Sequence, residues 1–352
     1  MQETIWPRMG LHVPRAFVHA LLTLAAGVLA GGCAPGGFFS TASPAAATVS
    51  PTPARPAAAM RETVRFAAAG PAEADESASE GIPFGIFGLT GRKLVPPFTA
   101  AMQLAQPEAI LKDLAAAKAR DARIIVNFVG GDKKVTDGGG HFDYNAWKSR
   151  VDRFRPMAGQ LNAYVADGTL YAALIIDEPF VKNRWGGEPI PKETVDQMGQ
   201  YLKSLFPDLP TTVGAAATTL QGYSWRYLDV AWAQYAARKG PATQFASSEA
   251  GAAQAAGLGL ILGINITKGG DGSSGFGEAK EWSMSGKEIT EYGHALLAQP
   301  YVCAFISWDY RPAVVDRPDV SAALQDLADA ARKHPATPCR QKGSSRAERR
   351  LS

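Results

Sequence analysis

Leu170-Tyr171-Ala172-Ala173-Leu174-Ile175-Ile176-Asp177-Glu178-Pro179 is the stretch whose reading decides the fold. It is a continuous apolar run, too short for a typical helix, bounded by Asp167-Gly168 before and Pro179 after. That combination reads as a strand buried on both faces, the kind found in parallel sheets. Two carboxylates stand at its carboxyl end, where α/β folds place their active sites. Burying charge there is costly unless the charges are paired or open into a cleft. Asp177 and Glu178 are therefore candidate functional carboxylates; the plainer alternative is that one of them only starts the following loop.

Outward from this stretch the pattern alternates over residues 81–338. Strand-like runs cover Pro83 to Leu89, Arg123 to Val129, Leu170 to Ile176, Thr211 to Ala216, Leu228 to Gln234, Leu258 to Ile266 and Val302 to Trp308. Helix-like segments lie between most of them, at Pro107 to Ala119, Tyr144 to Ala166, Lys192 to Phe206, Ala242 to Ala256 and Gly286 to Ala298. A last helix is expected over Val320 to Lys333. Such alternation argues for parallel βαβ units. The expected fold is an α/β (β/α)8 barrel of TIM type, irregular at its N-terminal strand. Seven strands are legible where eight are needed, and the eighth is sought near Thr63 or within Gly130 to Phe142.

The run Leu258 to Ile266 favours a closed barrel over an open doubly wound sheet. Gly259, Ile261, Gly263 and Asn265 share one face, and Leu258, Leu260, Leu262, Ile264 and Ile266 the other. Small residues inward and large aliphatics toward a helical coat suit a barrel. Gly85-Ile86-Phe87-Gly88 lacks the spacing of a dinucleotide fingerprint.

Read together, the strand ends carry amides, carboxylates and aromatic rings. Asn127 ends the second legible strand, Asp177 and Glu178 follow the third, and Gln234 and Tyr235 close the fifth. Asn265 and Lys268 lie at the sixth, and Trp308, Asp309 and Tyr310 at the last. Hydroxyl-rich ligands need such hydrogen-bonding amides, and sugar ring faces need flat apolar partners.

The runs Ile175-Ile176-Asp177-Glu178-Pro179 and Phe305-Ile306-Ser307-Trp308-Asp309-Tyr310 resemble the TIM-barrel glycoside hydrolase superfamily. There an Asn-Glu-Pro sequence on a central strand commonly carries the general acid/base, and a Trp near the last strand stacks on sugar. The resemblance implies Glu178 as the acid and Trp308 as the stacking ring. Asp177 stands where many such enzymes have Asn, and Ile264-Asn265-Ile266 offers no glutamate where the usual nucleophile sits. Glycoside hydrolysis needs a second carboxylate. Asp309 is the first candidate for it and Asp177 the second, because neighbours on a regular strand point to opposite faces unless the strand ends between them. Glu278 and Glu281, beside the Gly- and Ser-rich loop Lys268 to Gly277, are further candidates, and that loop is a candidate lid. The competing reading is a barrel that binds glycan without cleaving it; a weaker third is a structural envelope protein with no ligand.

Other chemistries are poorly supplied. Of five histidines, His141, His294 and His334 lie outside the leader and are widely spaced, so no metal and no cofactor is expected. The 352-residue chain carries a formal net charge of +3. Residues 340–352 hold five Arg or Lys and one Glu, a local +4, so the rest sums to 3 − 4 = −1. A nearly neutral body argues against nucleic-acid partners.

At the N-terminus, Arg8 and Arg15 precede an apolar run from Ala16 to Ala30, of signal-peptide length and too short to span a membrane comfortably. It ends in Leu29-Ala30-Gly31-Gly32-Cys33, which resembles a bacterial lipobox and implies lipidation at Cys33. Residues 1–33 are thus read as a lipoprotein signal. Residues 34–80, rich in Ala, Pro, Ser and Thr, are read as a disordered tether, 81–338 as the barrel and 339–352 as a basic disordered tail. The expected location is exported and lipid-anchored to the cell envelope, with Ala34 after the cysteine favouring the outer membrane where a cell has two. In that oxidising compartment Cys303 and Cys339 are expected to pair, since the last helix returns the chain to the face where the last strand begins.

Overall fold

The computed structural model describes residues 81–278 and 281–340. The expectations for the signal, Cys33, the tether, a strand near Thr63 and the tail beyond Arg340 lie outside the described residues. Among the described residues, no helix is long and apolar enough to cross a membrane.

Eight parallel strands close into a barrel. They are β1 (Phe84–Phe87), β2 (Ala100–Leu104), β3 (Arg123–Asn127), β4 (Leu170–Asp177), β5 (Thr211–Gly214), β6 (Val230–Tyr235), β7 (Gly259–Ile264) and, after a hairpin of β8 (Gly277–Glu278) and β9 (Glu281–Trp282), β10 (Val302–Ser307). Around the ring the order is β1-β10-β7-β6-β5-β4-β3-β2, sequential except where β10 closes on β1. Helices α1 (Ile110–Lys118), α2 (Tyr144–Asp152), α3 (Ala158–Ala166), α4 (Lys192–Leu205), α5 (Ala217–Leu220), α6 (Ala242–Ala255), α7 (Gly286–Leu297), α8 (Pro312–Val315) and α9 (Pro318–Lys333) form the coat. The expected (β/α)8 class is the observed one.

Two element boundaries differ from expectation. The eighth barrel strand is not within Gly130 to Phe142, where the described structure holds only an isolated bridge between Thr136 and Phe142. It is β2, whose sequence Ala-Ala-Met-Gln-Leu has no β-branched residue and so gives no strand signal. Tertiary context overrides that weak propensity. Ala100 and Met102 fill the interior while Ala101 packs outward. Gln103 is buried, its Oε1 accepting from the Gly91 N–H at 2.9 Å and its amide donating to Asp113 Oδ2 at 3.2 Å. The single helix expected over Tyr144 to Ala166 is two, because Pro156 sits in a 3-10 turn at Arg155–Met157 and cannot continue the ladder of α2.

The face assignment on β7 holds. Ile261 lies in the interior cluster, and Leu258, Leu260, Leu262, Ile264 and Ile266 all pack against the coat. The glycines on the inner face are required by close approach. A Cβ on Gly263 would lie 1.8 Å from the Ile306 carbonyl oxygen, and one on Gly259 would lie 2.0 Å from that of Cys339.

Cys339 therefore reaches under the barrel, and it is bonded to Cys303 with a Cα–Cα distance of 5.1 Å. Asp229, fully buried on the same floor, accepts from the Thr211 N–H at 2.9 Å and pairs with Lys203. Arg340 approaches its other oxygen at 3.5 Å. The expected pairing of Cys303 with Cys339 is thus the observed one, and Arg340, counted with the tail, reaches the barrel floor.

Candidate active site

The opposite end of the barrel opens into a cavity of about 690 Å³ lined from β4, β5, β6, β7 and β10 and the loops beyond them. Asp177 enters it through an irregularity in β4. Register with β5 shifts between Leu174 and Asp177, and Ile175 and Ile176 both pack outward. The extra residue turns Asp177 inward, as a bulge does. Gly214 on β5 makes room for it, since a Cβ there would lie 2.1 Å from Asp177 Oδ1.

The strand ends at Asp177, and Glu178 adopts a left-handed backbone with φ of 45°. That conformation costs a non-glycine residue on the order of 1 kcal/mol, and neighbours must hold it. Here the Glu178 N–H donates to the Gly214 carbonyl at 2.9 Å, and its own carbonyl accepts from Trp185 Nε1 at 2.9 Å. The turn brings Asp177 and Glu178 into one cavity. Neighbours on a regular strand would point to opposite faces, but the strand ends between these two, which is the condition under which they can share a site.

Arg184, which sequence reading missed, ties the pair together. It lies in a short 3-10 turn, Lys182–Arg184, beyond Pro179. Its Nη2 donates to Asp177 Oδ2 at 3.0 Å and its Nη1 to Glu178 Oε2 at 2.5 Å. Its Nε donates to Asp132 Oδ2 at 2.5 Å. One guanidinium thus serves three carboxylates. Burial nevertheless dominates at Asp177, pushing its carboxyl up to about 7; Arg184 opposes the shift, and the Glu178 and Asp132 charges add to it. No motif spacing marks Arg184, because its position depends on how the loop folds.

Two indoles line the cavity wall. Trp308 stacks on Phe87 with ring centroids 4.4 Å apart, and Trp232 lies 6.5 Å from it. Trp232 was not foreseen; its Nε1 donates to the Ile306 carbonyl at 3.0 Å, which fixes the ring. Gln234 lines the cavity with no side-chain hydrogen bond among the described residues. Asn265 lines it too, with Oδ1 accepting from the Lys268 N–H at 2.9 Å.

Four expected site residues do not line this cavity. Asn127 is buried and caps the turn after β3, its Oδ1 accepting from the N–H groups of Val129 and Gly130. Tyr235, one residue past Gln234, faces the opposite way by the strand period. Its hydroxyl donates to the Gly240 carbonyl at 2.6 Å, and its ring packs edge-on against Phe245 and Tyr292. Tyr310 packs against the outer core, its N–H donating to the Phe87 carbonyl. Asp309 follows the inward Trp308 and turns aside, accepting from Thr267 Oγ1 at 2.6 Å and from Arg311 Nε at 3.2 Å. Glu281, from the hairpin, does line the cavity and pairs with Lys268 at 2.8 Å.

No protein-family model matches the chain, and no curated protein sequence matches it. Solved structures with a similar course include a GH18 chitinase from Pseudoalteromonas aurantia, 12% identical, with a TM-score of 0.42 over 70% of this chain and 99% of that one. An endo-beta-1,4-mannanase from Thermotoga petrophila is 11% identical, with a TM-score of 0.47 over 73% of this chain and 78% of that one. Xylanase10C from Cellvibrio japonicus is 11% identical, with a TM-score of 0.48 over 75% of this chain and 69% of that one. At these identities the likeness is one of fold.

Proposed function

We propose that the protein is a glycoside hydrolase whose proton donor is Asp177, with Glu178 as its anionic partner. The observation that carries this reading is one carboxyl raised to about 7 by burial, in a cavity walled by Trp308 and Trp232. A general acid works best with a pKa near the working pH, and two adjacent carboxylates in unlike surroundings divide the acid and anionic roles. This reverses the assignment read from the sequence, in which Glu178 donates. The reason is burial: Arg184 bonds both, but Asp177 is tucked against Gly214 with 19% of its side chain exposed, whereas Glu178 has 52% exposed. Gln234 and Asn265 supply amides for hydroxyl groups, and the indoles supply flat faces for sugar rings.

In this reading the domain is exported and held at the envelope through Cys33. Screening the full-length chain against a panel of polysaccharides, with reducing-end release as the readout, tests the activity. Release that Asp177→Asn abolishes supports the assignment; release that survives it refutes Asp177 as the donor.

A second reading, binding without cleavage, is favoured by the ion pairing itself. Arg184 occupies both carboxylates, and an amide, Asn265, rather than a carboxylate stands just past β7. Glycan binding without turnover on any substrate would select it.

A further inference from the structure

Charge is unevenly spread around the cavity. Asp177 and Glu178 occupy the β4 side. The three neighbouring strands β6, β7 and β10 deliver Arg238, Lys239, Lys268 and Arg311 to the other. With Arg184, five cations line the cavity: Arg184 pairs with Asp177, Glu178 and Asp132, Arg311 with Asp309 and Lys268 with Glu281, which leaves Arg238 and Lys239 as the cations of the lining with no ion pair among the described residues. The body of the chain up to residue 339 sums to about −1, so this pair of cations does not reflect a basic protein.

Two of these cations are held in place by backbone oxygens. Arg238 Nη1 donates to the Lys268 carbonyl at 3.1 Å, and Lys239 Nζ to the Gln234 carbonyl at 2.6 Å. Neither has an ion-pair partner among the described residues. Bonds to neutral carbonyls leave a guanidinium and an ammonium without an ion pair and with donors to spare.

Glu281 is the acid these cations do hold. It reaches over from β9, 57% exposed, and Lys268 bonds it at 2.8 Å. Its carboxyl is held below the usual carboxylate range by that hydrogen bond first, and the charges of Arg311 and Arg238 add to the effect. The cluster is therefore already acting on a carboxylate, one carried on an exposed side chain of a two-residue strand.

We infer that the cavity takes an acidic saccharide, whose carboxylate or sulfate seats among Arg238, Lys268 and Arg311 in place of the Glu281 carboxylate. The inference rests on the glycan reading above and narrows its substrate class. Arg238 supplies a planar fork that matches either anion with two hydrogen bonds. Gln234, Trp232 and Trp308 then meet the sugar ring to which that anion is attached.

The test is binding of the labelled full-length chain to an array of neutral, uronate-containing and sulfated oligosaccharides. Matched pairs carry the decision: oligogalacturonates and their methyl esters for the carboxylate, sulfated and desulfated galactans for the sulfate. An anionic member should bind at least tenfold more tightly than its neutral twin, and the difference should shrink as salt rises. Arg238→Gln should remove most of the difference, and Arg238→Lys should keep part of it. Preference within one pair only identifies which anion is recognised. Neutral twins bound as tightly as acidic ones would overturn the inference and leave the glycan reading standing. No binding to any saccharide would overturn both.

Discussion

At the residue scale, the carboxylate pair was legible and its division of labour was not. Apolar run, paired acids and proline sufficed to place a site at the end of β4. The bulge at Ile175 and Ile176, the left-handed Glu178 and the cation Arg184 arise from contacts with β5 and a folded loop, and these leave no periodic trace. Their consequence is a titration. If Asp177 donates the proton, kcat/KM falls on the alkaline side with a midpoint near the value of about 7 set by burial. Asp177→Asn should cost about a hundredfold to ten-thousandfold in rate. Stability should move the other way. A carboxyl raised in the fold contributes stability that is present below its unfolded value near 4 and fades as pH rises through 7. At pH 8 the variant, free of that buried charge, should therefore be more stable by on the order of 1–3 kcal/mol in urea unfolding, and at pH 4 it should show no such gain. Arg184→Gln removes the one group that pulls Asp177 down, so the alkaline limb should shift to higher pH. A limb that stays in place or moves lower would show that Arg184 does not face the donor.

At the element scale, the strands that were read correctly are those whose faces differ chemically. On β7 small residues alternate with large aliphatics, and both faces landed where that pattern puts them. β2 was missed because Ala, Met and Gln describe a helix as well as they describe a strand. Tyr235 was misassigned because it sits one residue beyond Gln234, which does face the cavity, and the period of two sends the next side chain away. Asp309 lies past the end of β10, where Thr267 and Arg311 hold its carboxylate. The same close packing makes a sharp test on β7. A methyl group on Gly263 would meet the Ile306 carbonyl at 1.8 Å, against backbone of β10 that has no side-chain freedom to yield. Gly263→Ala should destabilise the fold by about 1–3 kcal/mol, the usual cost of overpacking. Thermal unfolding reads it directly, and an unchanged midpoint would mean that β7 and β10 are not in this register. Gly251, exposed on α6 with open space around its added Cβ, gives the control, since Gly251→Ala should be neutral or slightly stabilising.

At the scale of the whole molecule, the two ends of the barrel do different work, and the sequence indicated both through a topological argument. Parallel strands put all carboxyl ends on one face, so the acids and indoles gather there and the start of β10 falls on the other. α9 runs back against its strand and returns the chain to that second face, bringing Cys339 beneath the barrel to Cys303. There the Cys339 backbone packs on Gly259, and Arg340 approaches the buried Asp229 that Lys203 also holds. The link spans a sequence separation of 36, and closing such a loop in the unfolded chain stabilises the fold by roughly 3–4 kcal/mol. Cys303→Ala with Cys339→Ala should therefore lower the thermal midpoint by roughly 10 °C, at about 2–4 °C per kcal/mol for a domain of this size. Because the bridge lies on the floor and the cavity at the opposite end, saccharide binding at 25 °C should be unchanged in the double variant. Thiol titration of the unfolded, unreduced full-length chain checks the bond itself: neither Cys303 nor Cys339 should react. A double variant that keeps its midpoint would show that the floor is held without the bridge.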